Sequence, residues 1–209
     1  MIDFKYPQDA WASRKLASDQ SEGATPIDPN EANGLLLTHI TTQGELNRWE
    51  QDNIVEALAW IDKTKPENIL NDKFIRQLHK RMFGNVWKWA GQFRQSNKNI
   101  GVPWYQVPVD LQNMYDDIPA WIQTKNETPE EMAVRFHHRL VWIHPFPNGN
   151  GRHARLMADI FVENVLHGSP FTWGKRDLSN PGENRNRYIS ALHEADNGNY
   201  MPLLEFAKS

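Results

Sequence analysis

Hydrophobic residues recur along most of the chain at spacings of three to five positions, a pattern typical of helices with one buried face. The pattern begins near Thr41 and stops at Pro66, and it predicts a first long helix. Its apolar positions are Leu46, Trp49, Ile54, Leu58 and Ile61. A second helix is predicted from Asn71, a residue type suited to the N-cap, to Met82, with Gly84 at its end.

Five more helices are predicted in the second half of the chain, and the start of one is marked by specific residues. Thr128 suits the N-cap, Pro129 suits the first helical position, and Glu131 completes a capping box. Pro145 ends this helix, because the residue before a proline is disfavoured in helical conformation. The others are predicted at about 110–123, 151–167 and 183–195, followed by a short helix from 202 to the end.

The stretch from 87 to 108 departs from the helical pattern. Glycines and prolines interrupt it, and β-prone residues lie between polar ones, so two short strands around 95–99 are predicted to form a β-hairpin. The sequence as a whole therefore predicts an all-α domain with one small hairpin. We expect residues 1–37 to be an N-terminal arm and residues 38–209 to be the domain, since Ser, Gly, Pro, Asp and Asn are frequent from 19 to 33.

Composition and charge narrow the functional classes. The 209 residues suit one domain with a sizeable core, and a net charge of −3 argues against a dedicated nucleic-acid binder. The sequence has no cysteine, which excludes disulfides and thiol catalysis and fits a reducing compartment. It also lacks a signal-peptide pattern and any apolar run near 18 residues. We expect a cytoplasmic protein that contacts neither membranes nor nucleic acids directly.

The segment His144-Pro-Phe-Pro-Asn-Gly-Asn-Gly-Arg-His-Ala-Arg155 carries the candidate chemistry. Gly149 and Gly151 permit unusual backbone angles just before a predicted helix, whose first amide groups and positive dipole end attract anions. Arg152 and Arg155 lie three positions apart and project from one side of that helix, where they could hold a di- or triphosphate. Asn150 could donate a further hydrogen bond. These residues predict a phosphate-binding site.

His144 lies at the other end of this segment. An imidazole titrates near neutral pH and can accept a proton from an attacking hydroxyl. Transfer of phosphorus-centred groups depends mostly on positioning and electrostatic stabilisation. A base beside a phosphate cradle is therefore sufficient to predict transfer of part of a nucleotide to a hydroxyl group.

The segment closely resembles the signature of the Fic family, His-Pro-Phe-x-(Asp/Glu)-Gly-Asn-Gly-Arg-x-x-Arg. Trp89-Ala-Gly-Gln-Phe-Arg94 resembles the family's lead-in to its flap hairpin, and Tyr188-Ile-Ser-Ala-Leu192 resembles part of its C-terminal helices. The resemblance implies an α-helical Fic fold and transfer of AMP from ATP to a Ser, Thr or Tyr hydroxyl of a target protein. By position, His144 matches the general base, residues 149–152 match the phosphate cradle, and Arg155 matches the arginine that grips the terminal phosphate.

One position departs from the signature, because Asn148 replaces the acidic residue that holds a divalent metal in the family. An amide oxygen is a weaker ligand for Mg²⁺ or Mn²⁺ than a carboxylate. Two alternatives to AMP transfer therefore stay open. One is a catalytically weak or inactive Fic-fold interaction module, and the other is an enzyme that transfers a different phosphate-containing group.

The segment Thr41-Thr-Gln-Gly-Glu45 is similar to the inhibitory motif of autoinhibited Fic proteins, in which a glutamate pairs with the second arginine. On that basis Glu45 would pair with Arg155. Leu46 departs from the inhibitory motif, which has Gly or Asn at that position. The segment also contains a capping box, which is an alternative explanation for Glu45. The chain as a whole resembles the subgroup called mobile mystery protein B. That resemblance implies a mobile-element operon with a helix-turn-helix partner, comparable to a toxin–antitoxin pair.

Overall fold

The computed structural model describes residues 32–40, 42–124, 126–175 and 182–209. Seven α-helices account for most of these residues, and no β-strand is found among them. The predicted all-helical character is therefore confirmed. The helices are α1 (Gln43–Thr64), α2 (Asp72–Phe83), α3 (Val107–Thr124), α4 (Pro129–Ile143), α5 (Asn150–Asn164), α6 (Glu183–Asp196) and α7 (Met201–Lys208).

Three helices begin at the capping residues that the sequence indicates. Thr42 and Thr128 each form a complete capping box, with Glu45 and Glu131 respectively. The Asn71 side chain accepts a hydrogen bond from the backbone N–H of Phe74 at 2.9 Å. Each cap satisfies an amide that would otherwise lack a partner at the helix start.

The helices pack in pairs around one hydrophobic core. α4 packs along α5, α1 along α2, and α6 against α7. Phe136 of α4 and Phe161 of α5 meet with ring centroids 4.8 Å apart. The pairing of α4 with α5 matters most for function, because these two helices hold the ends of the segment 144–149. None of the helices described is both long and apolar enough to cross a membrane.

The buried face of α1 differs from the predicted one. Trp49 is 41% exposed and Leu58 is 43% exposed, although the apolar pattern predicts that both are buried. α1 buries Leu46, as predicted, but together with Glu50, Asn53 and Ala57. These follow helical spacing as well, but two of the four are polar, so hydrophobicity does not reveal them.

The predicted β-hairpin around 95–99 is wrong. Residues 95–103 form an irregular loop, which we call the 95–103 loop. The carbonyl groups of Ser96 and Val102, which strand pairing would need, accept hydrogen bonds from the Arg94 guanidinium instead. The side-chain oxygen of Asn97 likewise accepts the backbone N–H of Trp104 at 3.0 Å. Side chains thus take the place of a strand ladder in shaping this loop.

The residues before α1 pack against the segment that follows α2. Leu35 is buried and forms an isolated antiparallel bridge with Trp87. The Leu36 N–H donates to Val86 at 2.8 Å, and the Lys88 N–H donates to Gly34 at 2.8 Å. The predicted arm lies mostly outside the described residues, and its boundary at residue 37 stays a prediction.

Candidate functional site

The segment 144–149, between α4 and α5, is closed by Asn150. The buried Asn150 side chain accepts the Phe146 N–H at 2.8 Å and donates its amide to the Phe146 carbonyl at 2.8 Å. Both bonds lie inside the loop, so Asn150 acts here on the loop's shape. Donation to a phosphate from the remaining amide hydrogen stays a prediction.

Gly149 is the N-cap of α5 and has a backbone conformation that requires glycine. Its φ is +78°, and a Cβ added there would lie 2.7 Å from the Phe83 ring. As a glycine, Gly149 contributes no side-chain cap to α5. Backbone amides and the positive end of the helix dipole therefore converge on this loop, as an anion-binding site requires.

Asn148 and the backbone around it are engaged by neighbouring groups. The Asn148 side-chain oxygen accepts the Gly149 N–H at 2.6 Å. Its main-chain carbonyl accepts from Nε2–H of His79 at 3.0 Å, while Nδ1 of His79 accepts the Gly91 N–H at 3.0 Å. The two bonds select one neutral tautomer of this buried histidine. Through His79, the backbone of Asn148 is fastened to α2.

The protein groups at this loop do not fit a firmly held divalent metal. Asn148 supplies one neutral oxygen, which already accepts a hydrogen bond. Among the described residues, no group of three His, Asp or Glu side chains could hold a metal ion. Mg²⁺ prefers carboxylate ligands or substrate phosphates, so these protein groups alone make a poor magnesium site.

Arg152 is paired with a carboxylate that the sequence patterns did not single out. Its Nη1 lies 2.7 Å from Oε2 of Glu50, whose side chain is 6% exposed. Oε1 of Glu50 accepts the indole N–H of Trp87 at 2.7 Å. The Arg152 guanidinium also lies 4.8 Å from the centroid of the Phe83 ring. The first arginine of the cradle is thus held by α1.

Arg155 lies close to the start of α5 and against Tyr188. A Cβ added to Gly151 would be 3.7 Å from Nη1 of Arg155 and 3.8 Å from the Tyr188 hydroxyl. The guanidinium carbon is 5.5 Å from the Tyr188 ring centroid. The Tyr188 oxygen lies 3.1 Å from Nε2 of His137, to which its hydroxyl can donate. Burial lowers the pKa of Arg155.

Glu45, the predicted inhibitory residue, occupies its helix cap. Its carboxylate accepts the backbone N–H and the hydroxyl of Thr42, both at 3.0 Å. Glu50, five residues further along α1, contacts Arg152 of the cradle. The pairing of Glu45 with Arg155 stays a prediction, and it would require Glu45 to leave its cap.

His144 is buried at the C-terminal cap of α4 in the left-handed conformation, with φ of +56°. Its Nδ1 is 3.3 Å from the Val141 carbonyl, which can only accept, so the ring proton lies on Nδ1. Nε2 of the neutral ring then carries a lone pair. Burial, together with the charges of Arg94 and Lys98, lowers the pKa of His144 to about 4.

The site contains three residues whose roles the sequence patterns did not reveal: Glu50, Arg94 and Tyr188. Glu50 follows Leu46 at helical spacing, but apolar periodicity does not include a charged residue. Tyr188 lies in the segment that resembles the C-terminal helices of the Fic family, and Arg94 lies in the segment that resembles its hairpin lead-in. The available signal for Glu50 is a charged residue at the spacing of a buried helix face.

The buried histidines make stability sensitive to acid. Burial lowers the pKa of His79 and His144, and it lowers the pKa of His137 and His153 to about 3. Well above pH 6.5 both folded and unfolded states hold these rings neutral. Below it the unfolded state takes up protons that the folded state refuses, which costs about 1.4 kcal/mol per pH unit for each ring.

Asp159 opposes this trend, because burial raises its pKa to about 6, and it stabilises the fold as the pH falls from about 6 to about 4. The loss of stability from four buried histidines exceeds the gain from one aspartate. We therefore expect the Tm to fall by several degrees between pH 6.5 and pH 5.5 in buffers of equal ionic strength. A Tm that is constant or rises over this interval would contradict the neutral burial of these rings.

Comparison with known proteins agrees with this geometry. A protein adenylyltransferase Fic from Nematostella vectensis is 28% identical over 158 residues, which cover 72% of this chain and 35% of the relative. Another, from Drosophila melanogaster, is 27% identical over 155 residues, which cover 72% of this chain and 30% of that relative. The chain thus spans about a third of the length of these curated relatives.

Solved structures show the same fold. Fic-1 from C. elegans is 26% identical, with a TM-score of 0.58, and the match covers 75% of this chain and 46% of that one. BepC from Bartonella tribocorum with bound AMPPNP is 18% identical, with a TM-score of 0.63, covering 81% and 87%. Residues 69–162 match the model of the Fic/DOC family. The matched residues include the whole 144–155 site.

Proposed function

We propose that this site binds ATP and transfers AMP to a hydroxyl group of a target protein. The observation that carries the proposal is the position of His144. A buried, neutral imidazole with a lone pair on Nε2 lies one short loop away from two arginines and a helix start whose N-cap is a glycine. The relatives named adenylyltransferases and the AMPPNP bound to BepC support the choice of nucleotide.

The chemistry follows from these groups. Nε2 of His144 accepts the proton of the target hydroxyl, whose oxygen forms a bond to the α-phosphorus of ATP. The bond from that phosphorus to the bridging oxygen breaks, and pyrophosphate leaves with the electron pair. The imidazolium then releases its proton to solvent. Negative phosphates next to the ring raise the pKa of His144 from about 4, which strengthens it as a base when ATP is bound.

The α5 amides and the two arginines stabilise the phosphate charge. Arg155 lies over Gly151, where it can reach the phosphates without leaving Tyr188. Nη1 of Arg152 is engaged by Glu50, so phosphate oxygens compete with that carboxylate for it. A divalent ion, when bound with ATP, would neutralise part of the phosphate charge.

We infer that Glu50 restrains the activity by holding Arg152. A carboxylate at 2.7 Å neutralises the arginine and competes with phosphate for the same donors. The Trp87 indole fixes the carboxylate in place at 2.7 Å. This restraint operates on Arg152, whereas the motif containing Glu45 implies one on Arg155. The subgroup and the operon partner implied by the sequence stay predictions.

Glu50→Gln is expected to tighten ATP binding and increase AMP transfer. Glutamine retains an acceptor for Trp87 but removes the charge that holds Arg152. A coupling of about 1–3 kcal/mol corresponds to roughly 5- to 150-fold. Calorimetric titration with ATP measures the affinity, and incorporation of label from ATP measures the transfer.

Glu45→Gln is the matched control, because it neutralises a glutamate of the same helix that is engaged in a cap. If Glu45→Gln activates transfer and Glu50→Gln does not, the brake belongs to Glu45. If neither substitution changes affinity or rate, α1 exerts no restraint.

Labelled ATP distinguishes the candidate reactions. ATP carrying the label at the α- or γ-phosphate is incubated with the Glu50→Gln protein and a cell lysate in Mg²⁺ or Mn²⁺. We expect protein labelling from the α-position only. Labelling from the γ-position would indicate phosphate transfer, and no labelling together with no ATP binding would favour a non-catalytic module.

A further inference from the structure

Arg94 is a fully buried arginine at the start of the 95–103 loop. Its guanidinium donates to the carbonyls of Ser96 at 3.0 Å and of Val102, both in that loop. An arginine is charged at every relevant pH, so burying it requires several good acceptors. Main-chain carbonyls of the loop supply two of them.

The same residue also grips the backbone around His144. Nε of Arg94 donates to the His144 carbonyl at 2.6 Å, and Nη2 lies 3.4 Å from the Ile143 carbonyl. The Arg94 backbone N–H donates to the Pro145 carbonyl at 3.0 Å. One residue therefore holds three consecutive carbonyls centred on His144.

This grip acts on a backbone that would not otherwise favour its conformation. A histidine with φ of +56° is strained, and such a conformation persists only where the surroundings enforce it. Gly101, near the other end of the 95–103 loop, also lies against His144. A Cβ added to Gly101 would lie 2.5 Å from the His144 Cβ and 3.1 Å from Nη2 of Arg94.

We propose that Arg94 is a positioning residue that fastens the 95–103 loop to the backbone of residues 143–145 and thereby orients the His144 imidazole for AMP transfer. The proposal rests on the proposed function, and it concerns the orientation of the His144 imidazole, not the proton transfer itself. A shift of the ring by about 1 Å is enough to slow a positioned reaction by roughly 100-fold. The nucleotide cradle, built on α5, is held separately by Asn150 and Phe146.

Arg94 also acts on His144 through its charge. The positive groups acting on His144 are Arg94 and Lys98, and together with burial they keep the ring neutral, with its pKa lowered to about 4. A lysine at 94 retains the charge but cannot reproduce the spread of guanidinium donors. Arg94→Lys thus separates hydrogen-bonding geometry from charge.

The first test compares Arg94→Lys with the wild type. We expect kcat to fall about 10- to 100-fold while the KM for ATP stays within about twofold. A role limited to stability would lower the Tm but leave the kcat of the folded fraction unchanged, and that result would overturn the proposal. A loss of ATP affinity as large as the loss of kcat would overturn it as well.

A second variant approaches the same contact from the loop. Gly101→Ala places a methyl group against His144, whereas Gly198→Ala imposes comparable strain at φ of +84° with nothing within 4 Å. We expect Gly101→Ala to lower kcat at least tenfold and Gly198→Ala to leave it unchanged. Equal effects from both would assign the loss to backbone strain and contradict the proposal.

Nuclear magnetic resonance of the His144 ring tests the positioning role of Arg94 independently of AMP transfer. We expect the ring signals to shift in Arg94→Lys and Gly101→Ala and to stay unchanged in Gly198→Ala, whether or not the protein transfers AMP. A wild type that transfers nothing would refute the proposed function alone. Ring signals and a titration midpoint identical to wild type in both loop variants would refute the positioning role.

Discussion

His144→Asn is expected to reduce AMP transfer by about 10²- to 10⁴-fold, the contribution typical of a positioned general base. Asparagine is chosen because it tolerates the left-handed backbone that His144 adopts, with φ of +56°. ATP affinity should stay near the wild-type value, because no part of the phosphate cradle is changed. Rate measurements at saturating ATP and calorimetric titration check the two expectations.

His193→Asn provides the control for this substitution, since His193 is an exposed histidine of α6. It should leave the transfer rate unchanged. A His144→Asn protein that retains more than about a third of the wild-type rate would show that another group accepts the proton.

Asn150→Ala is expected to cause the second large effect, a combined loss of stability and of ATP binding. The substitution leaves both the N–H and the carbonyl of buried Phe146 without their partner. Each orphaned group costs roughly 1–3 kcal/mol. Without these two hydrogen bonds the loop no longer holds Gly149 at the start of α5. The backbone N–H groups there then no longer converge on one phosphate site. Thermal unfolding and ATP titration measure the two losses.

Asn164→Ala is the matched control on the same helix. Asn164 donates to the Pro66 carbonyl at 2.8 Å, far from the loop. We expect it to lower stability without changing ATP affinity. If Asn150→Ala binds ATP as tightly as Asn164→Ala, the loop does not depend on this closure.

Local rules explain how much of the fold the sequence predicts. The caps at Thr42, Asn71 and Thr128 depend on contacts within three residues, and all three are observed. The α4–loop–α5 arrangement is equally local, because Pro145 and Gly149 mark its ends. Those elements hold His144 and the start of α5, so the core of the candidate site was predictable.

Features that depend on distant residues were not predictable in the same way. Glu50 meets Arg152 across 102 positions, and Arg94 reaches His144 across 50. Apolar periodicity assigned α1 a face containing Trp49, whereas the face it buries carries a charged partner for the cradle. The hairpin prediction was wrong because a buried arginine satisfies the loop carbonyls that strand pairing would have used.

The most direct test of the account is mass spectrometry of the protein modified by the Glu50→Gln variant in the presence of ATP. We predict that a Ser, Thr or Tyr hydroxyl gains the mass of an adenylyl group, and that His144→Asn in the same background removes the modification. A gain of a phosphoryl group, or adenylylation that persists without His144, would contradict the assignment of the 144–155 site as the centre of AMP transfer.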